Sequence, residues 1–217
     1  MKTIAILSGG LDSTVLCTHL LNSGDAIQAV SFDYGQRHKK EILHADAVAR
    51  HLGIKHRVID LRPVGEAIAK GALLGKGEVP HGHYADESMK ATVVPNRNMI
   101  MLSVAVGVAI AEDFDAVAYG AHAGDHTIYP DCRPEFAEAL AHAVALSDFK
   151  EIRLERPFVK MTKAEIAKLG DTIKAPMHLS WSCYEGAGLH CGKCGTCVER
   201  KEAFALAGVT DPTEYRA

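Results

Sequence analysis

The heptapeptide Ser8-Gly9-Gly10-Leu11-Asp12-Ser13-Thr14 directly follows the apolar run Ile4-Ala5-Ile6-Leu7, and that junction constrains the fold more than any other stretch. A short apolar run closed by glycines reads as a buried strand, and Val15 to Leu21 reads as a helix that stops at Gly24. The motif is therefore a strand-to-helix turn. Its glycines let the backbone approach a ligand, and Ser8, Ser13 and Thr14 supply hydroxyls. The first helical N–H groups add the positive end of the dipole, which makes an anion site suited to phosphate. No Gly-Lys-Ser/Thr follows, so the loop is not a Walker A motif. Asp12 adds negative charge to such a site, and a magnesium ion between its carboxylate and the phosphates accounts for it.

Ile27 to Phe32 reads as a second strand and Lys55 to Leu61 as a third. Between them, Glu41 to Leu52 places Ile42, Ala45, Ala49 and Leu52 on one helical face, with Gly53 as its stop. This alternation predicts βαβ units and an α/β, Rossmann-like parallel sheet with helices on both faces. Ligands bind such sheets beyond the carboxyl ends of the strands, where the Ser8 loop and Asp33 to Gln36 both fall. Tyr34 there is suited to flank an adenine. Periodicity then fails, and residues 62–95 read as an insertion with a short helix and a mobile segment. His81 and His83 read as exposed loop residues within it.

Met99 to Ala111 is apolar all round and is expected to be a fully buried helix, with Ser103 and Gly107 forming a smooth face. Pro95, Asn96 and Asn98 suit its start, but Arg97 is a cation at the positive end of a dipole, and an ATP phosphate explains it. The same reasoning assigns phosphate contact to Lys163, which opens a helix whose capping box is Thr162 and Glu165. Ala116 to Gly120 and Ile152 to Arg156 complete the sheet. The loop from Ala121 to Phe136 carries the carboxylates, histidines, arginine and tyrosine that a polar heterocycle needs.

The 217 residues, 47% of them hydrophobic, suffice for one full core with a small appendage. A net charge of −3 supplies no cationic field, so no direct nucleic-acid partner is expected. The first apolar run is too short for a signal peptide, and Met99 to Ala111 falls short of the ~20 residues that cross a bilayer. A soluble, cytoplasmic protein without a membrane partner is expected. Cys183, Cys191, Cys194 and Cys197 form C-x7-C-x2-C-x2-C, with Gly192 and Gly195 in the turns, which reads as one closed structural zinc site. The alternative is an iron-sulfur cluster, whose usual run would continue to a further cysteine and proline. Cys17 reads as a small core residue.

The Ser-Gly-Gly-x-Asp-Ser pattern resembles the pyrophosphate-binding loop of the ATP pyrophosphatases, the PP-loop or adenine nucleotide alpha hydrolase-like superfamily. The resemblance implies cleavage of ATP to AMP and pyrophosphate, with adenylation of a substrate oxygen. It implies an ATP site along Ser8, Gly9, Gly10, Leu11, Asp12, Ser13, Thr14, Val15, Leu16, Cys17 and Thr18. Residues 1–175 would form this domain, and 176–217 a zinc-binding subdomain packed on it.

Taken together, Ser8 to Thr14, Ser31 to His38, Val94 to Asn98, Tyr129 to Phe136, Ser180 to Tyr184 and Cys191 to Ala203 resemble the 7-cyano-7-deazaguanine synthase family. These are the nitrile-forming enzymes of queuosine and archaeosine precursor synthesis. The resemblance implies 7-carboxy-7-deazaguanine, ammonia and ATP as substrates, with Asp12, Arg97 and Lys163 serving catalysis. Tyr34, Gln36, Asp125, Tyr129, Asp131 and Arg133 are the expected substrate contacts. Asp131 would accept two N–H donors from the guanine-like edge, and Arg133 would pair with the substrate carboxylate. A chain of this length holds no glutaminase domain, so free ammonia is the expected nitrogen source, and a homodimer is the expected assembly. Two other readings remain open at this level, a tRNA thiolation enzyme and a nucleotide-binding sensor with a zinc module.

Overall fold

The computed structural model describes residues 1–36, 40–68, 87–185 and 188–216, so His81 and His83 lie outside the described residues. Five strands, β1 (Lys2–Ile6), β2 (Ala26–Asp33), β3 (Lys55–Asp60), β4 (Ala116–Ala118) and β5 (Arg153–Glu155), form one sheet in the order β3-β2-β1-β4-β5. Every pairing is parallel. The chain moves one way from β1 to β2 and β3, then returns to the other side of β1 for β4. That reversal opens a crevice at the carboxyl end of β1, where the Ser8 loop sits.

Seven α-helices are described: α1 (Leu11–Asn22), α2 (Lys40–Leu52), α3 (Arg62–Ala67), α4 (Arg97–Ala111), α5 (Pro134–Ala145), α6 (Lys163–Thr172) and α7 (Gly195–Ala207). They bury two cores, as a doubly covered parallel sheet requires. One joins Ile4, Val30 and Val117 to Leu102 and Val106 of α4 and Leu140 of α5. The other joins Ala5 and Ala29 to Val15 and Leu16 of α1, Val48 of α2, Ile166 of α6 and Phe204 of α7. Phe204 thus anchors the C-terminal segment in the main core.

The capping box at α6 forms as expected: Thr162 Oγ1 accepts from Glu165 N–H, and Glu165 accepts from Thr162 N–H at 2.7 Å. Helix α4 departs from expectation in two ways. It buries only Leu102, Ala105, Val106 and Ala109, while Ser103 and Gly107 face outward, because it lies as an outer layer over β1 and β4 and turns one face to the sheet. Its start is not capped by an asparagine side chain either. Asn96 adopts a left-handed conformation (φ 56°), and Asp131 reaches across to accept the Asn98 N–H at 2.9 Å. Although Met89–Ala111 reaches membrane-spanning length and hydropathy, a turn at Pro95 and Asn96 separates its first part from α4, which packs on β1 and β4.

Candidate active site

A cleft of about 260 Å³ opens at the carboxyl ends of β1, β2 and β4. The backbone makes it by close approach. Gly9 has φ +87°, and a Cβ there would lie 2.1 Å from the Glu41 carbonyl oxygen, so α2 starts directly against the loop. Gly120, following β4, passes so near Asp12 that a Cβ would stand 3.3 Å from its carbonyl carbon. The glycine expected to receive a ligand is therefore Gly10, which lines the cleft, whereas Gly9 serves helix packing.

Of the eleven loop and helix positions implied for ATP, Ser8, Gly10, Leu11, Asp12 and Ser13 line the cleft. The Ser8 and Ser13 hydroxyl oxygens lie 3.1 Å apart, forming a polar edge. Thr14, Val15, Leu16, Cys17 and Thr18 belong instead to the buried side of α1. Thr14 donates its hydroxyl to Gly10 O at 2.8 Å and Thr18 to Thr14 O at 3.0 Å, so both are spent inside the helix. Burial of Cys17 raises its thiol pKa to about 12, consistent with an inert core residue.

Facing this edge is a charged cluster. Lys163 Nζ lies 2.6 Å from Glu199 Oε2 and 3.5 Å from Asp12 Oδ2. Burial opposes its charge, but Asp12, Glu199 and Asp125 hold the ammonium above its ordinary pKa. Burial likewise opposes ionisation of Asp12, yet Lys163 and His122 bring its carboxyl below the usual carboxylate range. Asp12 Oδ1 is buried with no hydrogen-bond partner. His122, 1% exposed, accepts the Gly124 N–H through Nδ1 at 3.1 Å. Its Nε2 stands 3.5 Å from Asp125 Oδ2 and 3.7 Å from Asp12 Oδ2.

Across the cleft, Arg97 sits among Tyr34, Tyr129 and Tyr184, with its guanidinium carbon 5.7 Å from the centre of the Tyr129 ring. Burial opposes the Arg97 charge, but the tyrosine oxygens around it shift its pKa upward on balance. Tyr129 OH pairs with Thr92 Oγ1 at 2.8 Å and approaches Tyr184 OH at 3.5 Å. Gln36 lines the cleft but spends its amide on the backbone, donating to Phe32 O and accepting from Tyr34 N. Glu41, in the first turn of α2, also faces this side.

The expected residues Asp12, Arg97, Lys163, Tyr34, Gln36, Asp125 and Tyr129 thus meet in one cleft. Asp131 and Arg133 do not line it. Asp131 is held by the start of α4, with its own carbonyl accepting from Asn98 Nδ2, and Arg133 turns outward to His126 O at 2.9 Å. The sequence singles out neither Glu41 nor Glu199, and it offers His122 and Tyr184 only as members of the Ala121 to Phe136 loop and the Ser180 to Tyr184 segment. Glu199 had no local signal, since it reaches Lys163 only because α7 packs on α6.

The four cysteines converge beside the cleft. Their sulfurs lie within 4.8 Å of one another and all four residues are buried. Cys191 accepts N–H bonds from Lys193 and Cys194, and Cys183 accepts one from Cys191, which is how short turns stabilise thiolates around a metal. The donor set fits a single ion with four thiolate ligands. Cys194 also caps α7, whose dipole favours negative charge there. Ser182 and Tyr184, on either side of Cys183, line the cleft, so the cluster supports its wall.

A sequence profile of the family described as "Queuosine biosynthesis protein QueC" matches residues 2–208. The chain is 52% identical to the 7-cyano-7-deazaguanine synthase of Brucella ovis, over 99% of this chain and 94% of that protein, and matches that of Brucella abortus strain S19 equally well. Among solved structures, NMN synthetase from Francisella tularensis superimposes with TM-score 0.56 at 16% identity, covering 96% of this chain and 77% of that one. A 4-thiouridine synthetase solved with RNA and ATP gives TM-score 0.52 at 16% identity, covering 95% and 50%. At such identities these two report the fold alone.

Proposed function

The chain belongs to the family of queuosine biosynthesis protein QueC and is an enzyme of 7-cyano-7-deazaguanine synthesis, and from that premise we propose a route and an assignment of its residues. The substrates are 7-carboxy-7-deazaguanine, ammonia and ATP. A carboxylate is a poor electrophile, and a nitrile retains neither of its oxygens. The first carboxylate oxygen attacks the α-phosphorus of ATP and expels pyrophosphate. Ammonia displaces AMP to give the amide. The amide oxygen is adenylated in turn, and loss of the second AMP together with the remaining N–H protons leaves the nitrile.

The observation that carries this reading is the division of the cleft into two unlike halves. Ser8, Gly10 and Ser13 present hydroxyls and backbone beside Lys163, a setting for a triphosphate, while Arg97 and the tyrosines make a flat, partly apolar setting for a heterocycle. Charge develops on the departing pyrophosphate, and Lys163, beside Asp12 of the loop, is a cation placed to offset it. The unpartnered Asp12 Oδ1 fits a magnesium ion, which would be held by Asp12 and the phosphates and would supply further charge neutralisation. Cys183, Cys191, Cys194 and Cys197 fit a structural zinc, whose role is to fix the wall carrying Ser182 and Tyr184. The outward Ser103 and Gly107 face of α4 supports a homodimer, and cytoplasmic function without nucleic-acid or membrane contact completes the reading.

Mass spectrometry of a reaction containing ATP, magnesium, ammonia and the acid tests it. A nitrile with AMP and pyrophosphate is expected. Unchanged acid with ATP consumed would mean a different acceptor.

A further inference from the structure

The proposed substrate carries a guanine-like edge, and Asp131, the acid expected to read it, is occupied by the start of α4. Three other carboxylates in the cleft belong to the phosphate side. Glu199 and Asp12 pair with Lys163, and Asp125 stands by His122. The remaining acid on the tyrosine side is Glu41.

Its position is fixed by backbone. The Glu41 carbonyl sits where a Cβ of Gly9 would be, so the first turn of α2 cannot move without moving the anion loop. Its side chain enters the cleft among Arg97, Tyr34 and Tyr184. Among the described residues no hydrogen bond or ion pair to its carboxylate is found. Burial raises its pKa to about 7 against the pull of Arg97, and a carboxylate in that setting gains from N–H donors that a ligand brings.

Resting on the reaction assigned above, we propose that Glu41 accepts the ring N–H and the exocyclic amino N–H of the deazaguanine edge, and so selects a guanine-like acid. Two adjacent N–H donors match the two oxygens of a carboxylate, and tyrosine rings flanking the site suit a planar heterocycle. Adenine presents a donor beside an acceptor on its corresponding edge and can satisfy only one carboxylate oxygen.

The test is steady-state kinetics of the wild type, E41Q and E41D with the natural acid and with its analogue lacking the exocyclic amino group. Wild-type turnover of the natural acid is read first, because its absence defeats the reaction assignment, and the role of Glu41 with it. Given turnover, E41Q should raise KM for the acid about 10- to 100-fold, the loss of one or two such bonds, and leave KM for ATP and ammonia within about twofold. The preference of the wild type for the natural acid over the analogue should largely disappear in E41Q, and E41D should fall between. ATP binding by E41Q reports on folding. A rise in KM for ATP or ammonia instead would assign Glu41 to those ligands. A fall in kcat with loss of the acidic limb of the pH profile and unchanged KM would make it a general base. Either result overturns the proposal.

Discussion

Trp181 donates its backbone N–H to the Gly9 carbonyl at 2.8 Å, joining the cysteine segment to the anion loop. The indole N–H goes on to Cys183 O at 2.9 Å, and the ring lies 4.1 Å from His190, centre to centre, with Lys40 Nζ 4.6 Å above it. One residue, Ser182, therefore separates the fixed loop contact from the first thiolate. A metal held by the cysteines and a phosphate held by Ser8 and Ser13 would share one rigid support.

Removing the metal should therefore cost activity even though no cysteine of the cluster lines the cleft. Cys194→Ser is expected to lose bound metal, measured by atomic absorption, and to lose nitrile formation with it. Limited proteolysis should then cut between Trp181 and Gly195. A variant that retained full turnover without metal would contradict this coupling.

Gly9→Ala and Gly53→Ala make a controlled pair, because both glycines have positive φ but only Gly9 faces backbone. Gly53→Ala should cost about 1 kcal/mol, the ordinary penalty for a left-handed alanine. Gly9→Ala must also push α2 off the loop, so a loss of at least about 3 kcal/mol with loss of ATP binding is expected. Urea denaturation and calorimetry measure the two effects.

Arg200 is fully buried in α7 and donates to Asp211, Ser180, Ser182 and Met177 O. Arg200→Met leaves Asp211 and these acceptors without their cation, and a destabilisation of about 3–5 kcal/mol should follow. Asp211 itself is nearer the surface, so Asp211→Asn should cost less in the same denaturation experiment.

The raised Glu41 pKa also predicts a pH dependence of stability in the absence of substrate. Between the ordinary value of 4.5 and the folded value of about 7, the folded state keeps a proton that the unfolded chain releases, so stability falls as pH rises through that window. Glu41→Gln does not ionise. It should match the wild type at pH 4 and exceed it at pH 8 by about 1–2 kcal/mol after solvent screening. Equal stability at both values would contradict the burial of this carboxylate.

Lys163→Met removes the cation shared by Asp12 and Glu199. A fall in kcat of about 100- to 1,000-fold is expected, the size of losing one electrostatic stabiliser in a dry site. Rapid-quench measurement of AMP formation distinguishes this from slow product release.

Much of this architecture is legible in the sequence because its signals are local. The run Ile4 to Leu7, the glycine loop, the Thr162 capping box and the cysteine spacing each specify geometry within a few residues. The remainder depends on where distant segments land. Glu41 reads as a first-turn helix charge until Gly9 brings α2 to the loop, and Glu199 reads as solvated until α7 packs on α6. Asp131 reads as a ligand group because its role as the cap of α4 lies 33 residues back in the chain. Helix α4 reads as wholly buried because composition reports hydrophobicity on every face, and only its packing on β1 and β4 decides which face is covered.

The central claim is that both oxygens of the acid leave on AMP. Its most direct test starts from 7-carboxy-7-deazaguanine labelled with ¹⁸O in both carboxyl positions and reads the AMP by mass spectrometry. The account predicts two AMP for each nitrile, each carrying one ¹⁸O. Label released to water, or one labelled AMP per nitrile, would contradict it.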